Sequence, residues 1–198
     1  MVSELSRRDI LRAAKGLALA TPFFGLAACD GEDLPPGMSS FSGATMGTSY
    51  NVKVMDPPSN MGRVALKSAI DRILETVNVQ MSNWRAESEI SAFNKAASPS
   101  WVAVSHDTLS VIDEALRISR LSGGAFDPTI GPLVDLWGFG PLLGGRRLPP
   151  RSQIAKALGT TGFQHIRTKS SQPAVAKRRT GMELTLCGIA KGFGVDKL

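Results

Sequence analysis

The run Thr185-Leu186-Cys187-Gly188-Ile189-Ala190-Lys191-Gly192-Phe193-Gly194-Val195-Asp196 reads as a strand entering a glycine-bounded helix start. Such a junction turns backbone amides and the positive helix end toward an anion, and Lys191 adds a point charge in the first turn, a combination suited to phosphate. The spacing is not that of a P-loop, and ordinary strand-to-helix glycines would leave the same trace. Trp84, within the polar stretch MSNWRAESEISAFN at 81–94, can stack on a purine or flavin ring, or it can cover the edge of a core. Small residues flank Met46 in Gly43-Ala44-Thr45-Met46-Gly47-Thr48. They let a flat group approach the backbone beside a soft thioether, or they make a turn with a core methionine. The stretch 122–141 is broken by glycine and proline, yet Phe126, Ile130, Leu133, Leu136, Trp137 and Phe139 need burial, which predicts an ordered loop with its own packing. In it, Asp127 before Pro128 predicts a helix N-cap with proline at the first helical position. A ligand can meet the backbone there, and capping alone accounts for Asp127 equally well.

These residues need elements to place them. Alternation of Tyr50, Val52 and Val54 predicts a strand over residues 49–54. Val64, Ile70, Ile73, Leu74 and Val77 follow helical spacing and predict a helix over residues 62–77. Ser88 or Glu89 can open a helical turn. A short strand is expected at residues 101–104, then a helix capped by Ser105, with Leu109, Ile112, Leu116 and Leu121 on one face and Gly123-Gly124 as its stop. A third helix, capped by Ser152, should run to Leu158. Strands are expected at residues 164–167 and 182–186, and a last helix from about Ile189. Irregular alternation of strands and helices, with no internal repeat, makes this an α+β domain.

The chain has 198 residues, 23 Lys+Arg against 17 Asp+Glu, and two residues each of Cys and His. So few cysteines and histidines exclude a disulfide-stapled scaffold, a four-cysteine zinc site and an HExxH protease. The formal charge of +6 is partly an address. Arg7-Arg8 precede an apolar run over residues 16–28, shorter than the roughly 20 residues a membrane span needs. Residues 1–28 therefore read as a twin-arginine-type signal peptide, and Leu26-Ala27-Ala28-Cys29 resembles a lipobox, with Cys29 the acylated first residue of a mature lipoprotein. The acidic, Pro/Gly-rich residues 29–37 read as a flexible tether and folding should begin near Met38, so that residues 38–198 form the domain. With Cys29 lipidated, Cys187 has no disulfide partner and is expected as a small buried thiol. Arg146-Arg147 and Lys177-Arg178-Arg179 sit beside glycine and proline, which points to solvated loops rather than a nucleic-acid stripe.

Taken together, MGTSYNV, MSNWRAESEISAFN, GGAFDPTIGPLVDLWGFGP and LTLCGIAKGFGVD resemble, in this order, the ApbE family of FAD:protein FMN transferases, from about Gly43 to the last residue. The resemblance implies an ApbE-like, T-fold-related mixed sheet with flanking helices. It implies an Mg2+-dependent enzyme that breaks the pyrophosphate of FAD, attaches FMN to a Thr or Ser hydroxyl of a target flavoprotein, and releases AMP. Subunits of membrane redox complexes are the usual acceptors. By matching position, Met46 would contact the flavin nucleotide and Trp84 would occupy the family's stacking position. Ala125, Phe126 and Asp127 would line the FAD pocket, and Lys191 would contact FAD. Thr185, counted with the FAD-binding positions, stands where many members have Asp, and Gly188 matches a residue whose backbone carbonyl reaches Mg2+. Members continue well past the last helix, and their later part supplies the Asp and Thr ligands that complete the metal site. This chain thus reads as an incomplete N-terminal portion of the domain, expected to transfer no flavin alone. Two other readings stay open: a non-catalytic periplasmic lipoprotein that holds FAD, and an FAD pyrophosphatase giving FMN and AMP. The expected location is the cell membrane, lipid-anchored on the periplasmic side.

Overall fold

Two eight-residue strands, β1 (Met38–Thr45) and β2 (Thr48–Met55), open the fold as an antiparallel hairpin. Their computed structural model describes residues 34–141 and 148–198, and the chain divides into two units, Met1–Pro36 and Gly37–Leu198, with every described element in the second. The expected signal peptide, Cys29, residues 30–33 of the tether and Arg146-Arg147 lie outside the described residues. Among the described residues no helix is long and apolar enough to cross a membrane.

Strand β2 forms where its alternation places it, whereas β1 escapes the sequence reading because Phe41 is its only large buried residue. Register pairs Phe41 with Val52 and Gly43 with Tyr50, so β2 supplies the apolar face that β1 lacks. The two-residue turn is Met46-Gly47, both at positive φ (48° and 71°), the geometry that follows the right-handed strand twist. Phe41, with Val52 and Val54, packs on Ile70 and Leu74 of helix α1 (Arg63–Met81). That helix runs four residues past the expected end, because Met81 extends the buried stripe Ile70, Leu74, Val77 by one turn. Val64 departs from the expectation at 81% exposure and lies outside the cluster in which the hairpin packs on Leu66, Ile70 and Leu74.

Local signals are honoured at two caps. Ser88 accepts from the Ser91 amide and opens α2 (Glu89–Lys95), and Ser105 accepts from the Thr108 amide and opens α3 (His106–Leu121). Gly123 and Gly124 follow α3 at positive φ, as its stop requires. Leu121, expected on the buried face, is exposed in the last turn. Between α2 and α3 lies β3 (Val102–Ala103), the short strand expected there.

Four expectations are corrected. Asp127 caps no helix: α4 is Gly131–Leu136, opening at Ile130 with Pro132 in its first turn, and the Asp127 carboxylate serves a tight turn described below. Ser152 lies inside α5 (Arg151–Leu158), where Pro150 takes the N-cap place without a side-chain bond. Residues 182–186 are extended but form no strand, since only Glu183 makes a ladder contact, a parallel bridge to Ile130. The strand expected at residues 164–167 begins later, as a 3-10 turn (Phe163–His165) followed by β4 (Ile166–Lys169).

The second sheet has the order β3-β5-β4, all antiparallel, with β5 (Ala174–Lys177) in the middle and buried at every position. Lys177 therefore leaves the solvated loop expected of it. It is 3% exposed, and its Nζ donates to the carbonyls of Phe93, Asn94 and Met182 at 3.2, 2.8 and 3.0 Å. Burial lowers its pKa. The main core joins Val77 and Met81 of α1, Ile90 and Phe93 of α2, Ile112 and Leu116 of α3, Val175 of β5, and Met182, Leu184 and Leu186. Helix α6 (Ala190–Asp196) closes the chain with Ala190 against that core. The class is α+β, as expected.

Candidate functional site

Residues 182–187 alternate cleanly: Met182, Leu184 and Leu186 are fully buried, so Glu183, Thr185 and Cys187 face the other way. Side chains hold this segment where a neighbouring strand would. Asn94 accepts from the Leu184 amide (2.8 Å) and donates to the Leu184 carbonyl (2.9 Å), completing a side-chain copy of a β-pair. Asn83 donates to the same carbonyl at 2.7 Å, and the Thr185 amide donates to Pro128 O at 2.8 Å. The outward face of the segment thereby becomes part of a concave surface.

Two cavities meet there. The larger, about 500 Å3, is lined by Met46 and Gly47 from the hairpin turn, Val77, Asn78 and Met81 from α1, the loop Ser82 to Arg85, and Cys187, Ala190 and Lys191. The smaller, about 350 Å3, shares Asn83, Trp84 and Cys187 with it and adds Asn94, Lys95, Asp135, Phe139, Glu183 and Thr185 among others. Trp84 is 57% exposed and stands at this shared wall, with its loop tied down by bonds from Trp84 N to Ser82 Oγ (3.1 Å) and from Ser88 Oγ to Ser82 O (2.6 Å). An aromatic face presented to solvent on an anchored loop is available for ring stacking.

Cys187 is exposed, which corrects the expected buried thiol; the alternation that buries Leu184 and Leu186 turns it outward. Trp137 and Phe139 are 37% and 61% exposed, and Ile130 is 39% exposed, so the loop at 122–141 is ordered without burying the aromatics expected to pack it. Its order comes from hydrogen bonds and close backbone approach. Asp127 Oδ1 accepts from the Thr129 amide (2.8 Å) and hydroxyl (2.6 Å), Asp127 Oδ2 accepts from the Phe163 amide (3.2 Å), and Thr129 Oγ1 accepts from the Gly162 amide (2.7 Å).

Of the residues singled out in the sequence, Met46, Trp84 and Lys191 line the larger cavity and Thr185 the smaller. Ala125, Phe126 and Asp127 line neither. Phe126 instead stands over Gly188, where a Cβ would come 3.2 Å from its ring. Sequence reasoning missed a carboxyl pair in the smaller cavity, Asp135 and Glu183. Burial raises the pKa of both, and the Asp135 charge raises Glu183 further while Lys177 opposes it. A side chain on Gly140 would fall onto the Asp135 carboxylate, so glycine is required for that carboxylate to fit. The signal for Glu183 was present in the apolar alternation of its neighbours; Asp135, distant in sequence, left none.

Among the described residues no three His, Cys, Asp or Glu side chains are grouped to hold a metal ion. A magnesium ion takes near-octahedral oxygen coordination. The Gly188 carbonyl with one carboxyl pair does not compose such a site, and the described residues do not fit the metal by themselves.

The sequence model of the ApbE family matches residues 46–198. The chain is 40% identical over 171 residues to the FAD:protein FMN transferase of Vibrio cholerae, covering 86% of this chain and 50% of that protein. It is 35% identical over 187 residues to the Haemophilus influenzae protein of the same name, covering 92% and 53%. Among solved structures, the flavin transferase ApbE from Vibrio cholerae superposes with a TM-score of 0.77 at 41% identity, covering 80% of this chain and 51% of that one. The apo flavinyl transferase ApbE of Pseudomonas stutzeri does so at 0.74 and 31%, covering 80% and 52%. The chain thus spans about half the length of the relatives it matches.

Proposed function

The chain belongs to the ApbE family, and from that premise we propose that its protein transfers FMN from FAD to a Thr or Ser hydroxyl of a target flavoprotein. In that reaction the bond between the FMN phosphorus and the bridging oxygen of the FAD diphosphate breaks, and the bridging oxygen departs with AMP. The acceptor hydroxyl oxygen forms the new bond to the FMN phosphorus and loses its proton, and AMP leaves. Such transfers depend on in-line positioning and on offsetting the charge of the phosphoryl oxygens.

The observation that carries this reading is the joined pair of cavities with Trp84 between them and only cations among the charged residues lining the larger. Trp84 supplies the face on which a ring system stacks, Met46 a soft contact at the hairpin turn, and Lys191 a charge for the diphosphate. Thr185, in the smaller cavity that shares Trp84, is counted among the FAD-contacting residues. Ala125, Phe126 and Asp127 line neither cavity; Phe126 fixes the backbone at Gly188 and Asp127 holds the turn at Thr129. Bound Mg2+ would neutralise phosphate charge, and the described residues do not hold it by themselves. Acceptors belonging to membrane redox complexes, a leader at 1–28 and a lipid on Cys29 at the periplasmic face complete the proposal.

Incubation of the complete protein with FAD, Mg2+ and an acceptor, followed by in-gel flavin fluorescence, tests it. A fluorescent acceptor band with equimolar AMP is expected. Free FMN with AMP and no labelled acceptor would instead make the protein a pyrophosphatase, and bound FAD without AMP would make it a carrier.

A further inference from the structure

We propose that Arg85 is a second phosphate-binding cation of the larger cavity, held by Glu75 until a diphosphate bridges Arg85 and Lys191. The proposal rests on the reading of that cavity as a dinucleotide site and adds a residue and a control to it. Two residues lining the cavity are charged, Arg85 and Lys191, and no carboxylate lines it. Its other walls include Met46, Val77, Met81 and Trp84, apolar surface beside which a positive field is poorly screened. Lys191 makes no ion pair or hydrogen bond with the described residues, so its charge is available.

Arg85 is already bound to an anion. Its Nη1 and Nη2 donate to the two Glu75 carboxylate oxygens at 2.7 and 3.0 Å, the fork geometry that two phosphate oxygens would equally fill. Glu75 does not line the larger cavity, whereas Asn78, one turn along α1, does. With its amide oxygen turned to Arg85, Asn78 accepts from Nε and Nη2 at 3.3 and 3.1 Å and keeps the guanidinium beside the cavity. The Glu75 side chain is 53% exposed, so the pair is solvent-screened and weak. A diphosphate, carrying more charge and shared with Lys191, displaces one screened carboxylate. Glu75 then acts as a built-in competitor that keeps the empty cavity closer to neutral.

The test is calorimetric titration of the 198-residue chain and its R85Q, R85K and E75Q variants with inorganic pyrophosphate, FAD and riboflavin, thermal melts confirming folding. R85Q should weaken pyrophosphate and FAD about tenfold and leave riboflavin unchanged. R85K should restore part of the loss. E75Q should tighten pyrophosphate and FAD by about two- to fivefold, and added salt should shrink all of these differences. Pyrophosphate binding equal in R85Q and wild type, or absent in wild type, overturns the proposal. So does a riboflavin loss matching the FAD loss, or an E75Q variant that binds no tighter. Arg85-dependent binding of pyrophosphate without any binding of FAD would support the clamp and refute the flavin reading of the cavity. Should R85Q fail to fold, the direction of the E75Q change decides.

Discussion

Asp135 and Glu183 share one small cavity, and burial penalises the charged form of each. The folded chain therefore holds protons on these carboxyls to higher pH than the unfolded chain, whose carboxylates titrate near about 4. With more protons bound in the folded state, stability from this pair is full below that range and is lost as pH rises through the raised values. Asp135→Asn with Glu183→Gln should remove the loss. Urea unfolding at pH 5 and pH 8 is expected to show the double variant gaining on wild type as pH rises. A gap that stays constant or narrows would mean the pair ionises freely in the fold. Asp71 runs the opposite way. Hydrogen bonds from Lys67 and Tyr50 lower its pKa, so its contribution is present above the ordinary carboxylate range and fades as pH falls through the lowered value. The two effects occupy separate pH windows, which keeps the measurement clean.

At the scale of elements, the site depends on an extended segment held by side chains. Asn94, the last but one residue of α2, makes both of its amide bonds to the Leu184 backbone. Asn94→Ala should leave a buried amide without a partner and cost about 2 kcal/mol, read from the urea midpoint. The loss should be smaller for Asn83→Ala, because Asn94 still engages the same carbonyl. Elements set by local chemistry were legible in the sequence: the caps at Ser88 and Ser105, the glycine stop after α3, and the stripe of α1 each act within a few residues. Strands β1 and β5 were not. The first has one large buried side chain and borrows its apolar face from β2. The second is four residues long and ends in a buried lysine, two of whose three carbonyl partners, Phe93 and Asn94, come from a distant part of the chain. For the site, the types that face the larger cavity could be read from motifs, whereas Arg85 beside Glu75 and Asp135 beside Glu183 arise only when the chain folds. Asp127 was legible as an important carboxylate but misassigned, because the Asx-type turn that it makes and a helix cap have the same short-range signature.

Over the whole molecule, the fold joins the cation-lined cavity to the cavity of the carboxyl pair at Asn83, Trp84 and Cys187. It does not assemble a metal centre. The described residues bring no three metal-binding side chains together, so the 198-residue chain is expected to bind flavin nucleotide but to release no AMP from FAD in the presence of Mg2+. Chromatography of the nucleotide products measures this, and AMP appearing in proportion to the chain would show that these residues suffice.

Cys187 is exposed where the two cavities join. The chain has one other cysteine, Cys29, so in a Cys29→Ser background a maleimide dye would label a single position. Its reaction rate then becomes an occupancy gauge: any molecule that fills either chamber shields the sulfur, and competing compounds can be ranked by how far they slow the labelling, with no acceptor protein and no turnover required.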